Sequence, residues 1–241
     1  MPDAPDYFSY RLESTKHLLA DMAELAARLG SLVSFDRRGT LVWMDGFENS
    51  LSPWESQAAG TGAAVAVVTS PTYQGGYSCK LTGGSTDPWV ALVQKNAQVI
   101  TLNRLGVEFT FSQETSYDYI ESYAFYSSGT QYITWRIRLN PATNTLQYKD
   151  AAGAWQTFAA WKFADENKCR FHTLKYVVDL DTHEFVRCFL DRNVYVFSGE
   201  KPQVSAVVDN PSLLIRFSVY SRAGFNDVVY VDNAIVTADE P

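Results

Sequence analysis

At 241 residues, with 46% hydrophobic and 14% aromatic side chains, the chain is long enough to bury one large core. Its 20 basic and 27 acidic residues leave a net charge of -7, and no Lys/Arg run is present to track a phosphate backbone, so nucleic acid is excluded as an expected partner. No window approaches membrane-span length, and no membrane partner is expected.

The opening MPDAPDYFSY carries acids and no apolar stretch, unlike a secretory signal or a transit peptide. Within it and just after it, Tyr7, Phe8, Tyr10 and Leu12 form an aromatic arm. The next stretch, STKHLLADMAELAARLG over 14–30, predicts an α-helix. Ser14 is the N-cap, Gly30 stands at C′, and Glu24 pairs with Arg28 at i,i+4. Leu18, Met22, Leu25 and Leu29 follow the 4-3-4 spacing of a coiled-coil seam about two heptads long, which is marginal alone in water. That seam is expected to pack on the chain's own sheet, to oligomerise the chain or to dock it on a larger assembly.

From there on the pattern is strand after strand. SLVSF, the turn DRRG and TLVWM predict a hairpin over 31–44. Strands follow at 63–68, 77–82, 89–94, 105–112, 118–127, 131–139, 145–149, 171–180, 184–190, 193–198, 212–220 and 227–236. Gly, Asn, Asp and Pro punctuate them at short intervals, the spacing of a β-sandwich and not of βαβ units. The fold class expected is all-β, an antiparallel jelly-roll sandwich with an N-terminal α-helix. It divides into an arm, helix and start of a hairpin over 1–39 and one sandwich domain over 40–241.

Alternation assigns faces. Leu105, Val107, Phe109 and Phe111 share one side of their strand, as do Ile133, Trp135, Ile137 and Leu139, and Leu213, Ile215, Phe217 and Val219. These sets are expected in the core. The opposite sides carry Glu108, Thr110 and Ser112, then Tyr132, Thr134, Arg136 and Arg138, then Arg216, Ser218 and Tyr220. If one sheet holds all three strands, its outer face is studded with Tyr and Arg, the residue types of recognition surfaces; an ordinary solvated face with cross-strand charge pairs is the plain alternative. Cys79, Cys169 and Cys188 show no disulfide or zinc spacing and are expected as reduced, mostly buried thiols.

Three segments resemble the jelly-roll sandwiches of the carbohydrate-binding-module and concanavalin A-like (laminin-G-type) superfamily. MDGFENSLSPWES (44–56) is similar to their opening, YQGGYSCKLTGG (73–84) to a Gly-rich turn leading into a strand, and VVYVDNAIVTADEP (228–241) to their closing strand. FHTLKYVVDLDTHEFVRCFLDRN (171–193) resembles the long hairpin of the concanavalin-like members. By position, the resemblance implies a structural Ca²⁺ held by Asp45, Glu48 and Asp232, with Trp54 as a structural tryptophan. It implies no other cofactor.

The same superfamily houses glycoside hydrolases, which need two carboxylates about 5 to 9 Å apart. Their ExDxxE run is missing. Asp118 and Glu121 fall on opposite sides of their strand, and Asp179 and Asp181 stand where a hairpin turn favours Asp. His17, His172 and His183 join no catalytic motif, and no GxSxG, Walker or HExxH run occurs. The chain is therefore expected not to be an enzyme. For sugar stacking the candidates are Trp89, Trp155 and Trp161, with Tyr132 and Tyr220 on the polar face beside Arg136, Arg138 and Arg216.

These readings combine into a non-enzymatic virion structural or decoration protein, made in the host cytoplasm. Its N-terminal segment would self-associate or bind capsid or tail proteins, and its sandwich would display a glycan-binding face. The alternatives are a secreted bacterial carbohydrate-binding module or lectin and, third, a concanavalin-like glycoside hydrolase.

Overall fold

Strand alternation has to place two apolar faces against each other, and in the computed structural model it does so with two antiparallel sheets. The structure describes residues 38–97, 103–161, 169–206 and 210–241. Sixteen strands lie among them: β1 Thr40–Asp45, β2 Glu55–Ala59, β3 Ala64–Val68, β4 Ser78–Thr82, β5 Val90–Ala97, β6 Arg104–Gln113, β7 Tyr119–Ser127, β8 Gln131–Asn140, β9 Thr145–Lys149, β10 Trp155–Ala160, β11 Phe171–Asp179, β12 Glu184–Leu190, β13 Asn193–Val196, β14 Gln203–Ala206, β15 Ser212–Tyr220 and β16 Val228–Ala238. No α-helix occurs among the described residues. The helix expected over 14–30, and with it Leu18, Met22, Leu25 and Leu29, lies outside them, as does the first half of the hairpin expected over 31–44.

Sheet A runs β13-β12-β11-β6-β16-β4-β3, with β1 also paired to β16. β16 is long enough to serve two partners on one edge. Its first half pairs with β4 from Val228 to Val231, and its second half with β1 from Ala234 to Ala238. A register shift at Asp232 and Asn233 separates the two halves. Sheet B runs β10-β9-β8-β7-β15-β5-β2, with β14 also paired to β8.

The core sits between the sheets. All twelve residues expected in it are buried: Leu105, Val107, Phe109 and Phe111 from sheet A, and Ile133, Trp135, Ile137, Leu139, Leu213, Ile215, Phe217 and Val219 from sheet B. Phe217 bridges the layers, its ring 5.2 Å from Phe109 and 5.6 Å from Phe111. Ser122 Oγ donates to Tyr176 OH across the same gap at 3.3 Å, which gives both buried hydroxyls a partner.

The condition that one sheet holds all three strands is not met. β6 belongs to sheet A, whereas β8 and β15 belong to sheet B. Glu108, Thr110 and Ser112 therefore stand on the far side of the molecule from Arg136, Arg138, Arg216 and Tyr220. The Tyr/Arg face is a property of sheet B alone.

Candidate functional site

Register across sheet B builds that face row by row. Tyr220 is opposite Tyr119 on β7 and Val90 on β5. Two residues along, Ser218 is opposite Glu121, which is opposite Arg138, which is opposite Gln147, which is opposite Thr157. In the next row Glu55, Gln94, Arg216, Tyr123 and Arg136 are aligned, and Lys149 with Trp155 continues it on β9 and β10. Because the period of a strand is two, all of these side chains leave the sheet on the outer side.

The arginines are held by specific partners. Arg136 Nε donates to Glu121 Oε1 at 2.5 Å, and the Glu121 side chain is 3% exposed. Arg138 Nε donates to Gln147 Oε1 at 2.5 Å. Arg216 donates to Gln94 Oε1 twice, from Nε at 3.0 Å and from Nη2 at 2.6 Å. Aromatic rings complete the packing. The Trp155 ring lies 4.2 Å from Arg138, 5.6 Å from Arg136 and 5.9 Å from Lys149. Tyr123 lies between Arg216 at 5.1 Å and Arg136 at 5.6 Å. Tyr119 and Tyr220 stack at 4.2 Å with 20° between their planes. Such contacts restrict long side chains that would otherwise cost rotamer entropy on binding.

Burial decides the protonation states. It pushes the Tyr220 and Tyr123 hydroxyls above the ordinary phenol range, although Arg216 and Arg136 pull Tyr123 partly back. Both are neutral phenols near neutral pH, able to donate and to accept. Burial also opposes charge on Arg136, but the Glu121 contact outweighs it and holds that guanidinium above its usual range. Arg138 and Lys149 are each lowered, chiefly by burial, and stay cationic at neutral pH.

The structure brings together Arg136, Arg138, Arg216, Tyr220 and Trp155. Tyr132 lies farther along the same face with its ring 4.6 Å from Phe125. Trp161 is corrected: it packs at the margin of the core and meets His172 edge-on at 5.3 Å. Trp89 is exposed and precedes β5, and among the described residues no ring or cation contact joins it to the cluster. Sequence reasoning did not single out Tyr119, Tyr123, Glu121, Gln147, Lys149 or Gln94 as part of this face. The odd-numbered alternation of DYIESYAFYS marks the three β7 residues, but Gln94 and Gln147 become visible only through strand pairing.

The residues expected to bind calcium do other work. Asp45 accepts from the Trp54 indole at 2.5 Å and from Phe47 N at 3.3 Å. Glu48 accepts from Gly76 N and Tyr77 N, and Asp232 from Tyr73 N and Gln74 N. Among the described residues no group of three or more His, Cys, Asp or Glu is placed to hold a metal ion. Trp54 is structural, buried and stacked on Phe47 at 5.2 Å.

No family model matches the chain, and no curated protein matches it. Solved structures do. The cellulose-induced protein Cip1 is similar with a TM-score of 0.56 at 14% identity, over 81% of this chain and 96% of that one. An endo-β-1,4-glucuronan lyase from the fungus Trichoderma reesei is similar with a TM-score of 0.56 at 15% identity, over 83% and 96%. A carbohydrate esterase from a Shiga toxin-encoding bacteriophage is similar with a TM-score of 0.51 at 14% identity, over 83% and 99%. At these identities the likeness is one of fold, a two-sheet jelly roll that also serves carbohydrate-directed proteins. The expectation that the chain is not an enzyme is corrected by these structures. A lyase and an esterase share its fold, so missing hydrolase and triad motifs do not exclude catalysis. The virion assembly role draws no support from these likenesses.

Proposed function

We propose that the chain is a carbohydrate-recognising β-sandwich and that it binds glycan on the outer face of sheet B. The observation that carries this is one continuous surface where Trp155, Tyr123 and the stacked Tyr119–Tyr220 pair alternate with guanidinium groups already fixed by Gln94, Gln147 and Glu121. Sugars present apolar C–H faces beside hydroxyl groups, and flat rings interleaved with positioned donors match both. The test is affinity electrophoresis of the full chain through a panel of soluble polysaccharides. Wild type is retarded by at least one polymer, and W155A and Y220A lose that retardation. Retention unchanged in both variants would move the site elsewhere.

Glu121 favours a second reading, in which the same face processes its glycan. Its Oε2 is buried without a hydrogen-bond partner in the middle of the face. The other strand carboxylate there, Glu55, is on β2, three strands away, about 14 Å at the usual spacing. Paired-carboxylate hydrolysis works at about 5 to 9.5 Å. A single carboxylate among tyrosines instead suits a reaction with one proton acceptor. Product analysis tests this: fragments released by wild type and not by E121Q support turnover, and intact polymer after prolonged incubation with wild type refutes it.

A further inference from the structure

We propose that the glycan recognised by sheet B is a carboxylated polysaccharide, a polyuronate, and that Arg138 and Arg216 are its carboxylate receptors. The inference rests on the reading of this face as saccharide-binding and deepens it.

The argument starts from what neutralises each cation. Arg136 faces Glu121 and forms a closed pair. Arg138 and Arg216 are held by the side-chain oxygens of Gln147 and Gln94. A glutamine oxygen orients a guanidinium but leaves the full positive charge in place. Among the described residues neither arginine has a carboxylate within 4.0 Å. Lys149 adds a further cation beside Trp155. The central strands β15, β7, β8, β9 and β10 thus present Arg136, Arg138, Arg216 and Lys149 against the single buried acid Glu121, with Asp118 acting on Arg138 from the loop before β7 and Glu55 accepting from Gln94 at the edge, in a chain whose net charge is -7. Such a local excess runs against the sign of the whole chain, and burial makes it costly without a counter-charge.

Geometry narrows the counter-charge to a planar one. Gln147 occupies Nε of Arg138, and Gln94 occupies the Nε–Nη2 side of Arg216. The Nη1–Nη2 end of each guanidinium, with one N–H from each nitrogen, is left for an incoming group. Two parallel N–H groups match the two oxygens of a carboxylate. Trp155 and Tyr123 pack against the guanidiniums, so the forks are held in place before any ligand arrives. The two receptors lie on β8 and β15 with β7 between them and one row apart, about 12 Å at the backbone. Receptors distributed across strands suit a polymer bearing an acid on successive sugars better than a lone acidic monosaccharide.

The experiment titrates the full chain with polygalacturonate and polyglucuronate, with a neutral β-glucan, and with dextran sulfate, at low and at physiological salt. The expected result is binding to a polyuronate at physiological salt, at least tenfold tighter than to the neutral glucan or the sulfated polymer. R138Q and R216Q should each weaken it at least tenfold. K80Q, which removes the same charge from the outer side of sheet A, should leave it unchanged. R138K keeps the charge without the fork and should recover only part of the loss, and circular dichroism checks that each variant is folded. Equal binding of the neutral glucan, lost in W155A, overturns the carboxylate inference and leaves the saccharide face standing. Equal binding of dextran sulfate overturns it in favour of undiscriminating charge attraction. Failure of every polymer to bind removes the saccharide reading itself.

Discussion

The Arg138 guanidinium lies 4.2 Å from the centroid of the Trp155 ring, the closest cation–ring contact among the described residues. The two side chains come from strands that are not neighbours, β8 and β10, with β9 and its Gln147 and Lys149 between them. Trp155 therefore positions a cation as well as offering ring surface. W155A should weaken glycan binding about tenfold, on the order of 1.4 kcal/mol, and W155F should retain most of it. Calorimetric titration of the three proteins checks this; equal loss in W155F and W155A would show that ring packing on Arg138 is not what matters.

Glu121 and Arg136 make a half-buried ion pair whose acid is almost fully enclosed. E121Q keeps the shape and removes the charge, leaving Arg136 without its counter-ion. A stability loss of about 2 kcal/mol is expected in urea unfolding. The double variant E121Q/R136Q should recover part of it. Additive losses in the double variant would mean the two side chains do not act as a pair.

The turn between β11 and β12 shows what sequence could read. Asp179 was expected there for turn chemistry, and its Oδ1 accepts from Asp181 N and Thr182 N while Arg104 Nε reaches Oδ2 at 3.2 Å. Burial works to raise this carboxyl, but those donors outweigh it and hold it below the ordinary range. The stabilisation is thus complete above the unfolded value of about 3.9 and is lost as pH falls through the lower folded value. D179N should cost about 1 kcal/mol near neutral pH, and the gap to wild type should close in strong acid. A gap that stays constant with pH would contradict it.

The thiols give a packing test. Cys79 and Cys188 are buried and Cys169 is exposed, and none of the three is in a disulfide. Burial, reinforced by Asp45, pushes Cys79 up to about 12, and burial alone raises Cys188 strongly. A thiol reagent should label Cys169 within minutes in the native protein and the other two only after unfolding. Rapid native labelling of Cys188 would contradict the packing of β12 against the core.

Strand existence and facing were legible because a half-buried strand writes its environment at every second residue. The β9, β12 and β15 boundaries emerge as expected, and the twelve core residues of β6, β8 and β15 are all interior. β2, ESQAA, and β14, QVSA, escaped because each is short and poor in large apolar residues; each is defined by pairing, with β5 and with β8. The site was half legible for the same reason. Parity marks Arg136, Arg138, Arg216 and Tyr220, but pairing of β15 with β5 and β7 joins segments about a hundred residues apart, and no local pattern encodes it. That pairing alone puts Gln94 and Tyr123 on either side of Arg216. Pairing of β6 with β11 and β16 sends Glu108 to the other sheet, which strand pattern could not foresee.

The central claim is that saccharide lies on the outer face of sheet B. Hydroxyl-radical footprinting of the full chain, with and without a polysaccharide that it binds, tests this most directly. The account predicts protection of Trp155, Tyr123 and Tyr220 and unchanged oxidation of Tyr73 and Tyr77, which are exposed beside sheet A. Protection of Tyr73 and Tyr77 with Trp155 unchanged would contradict it.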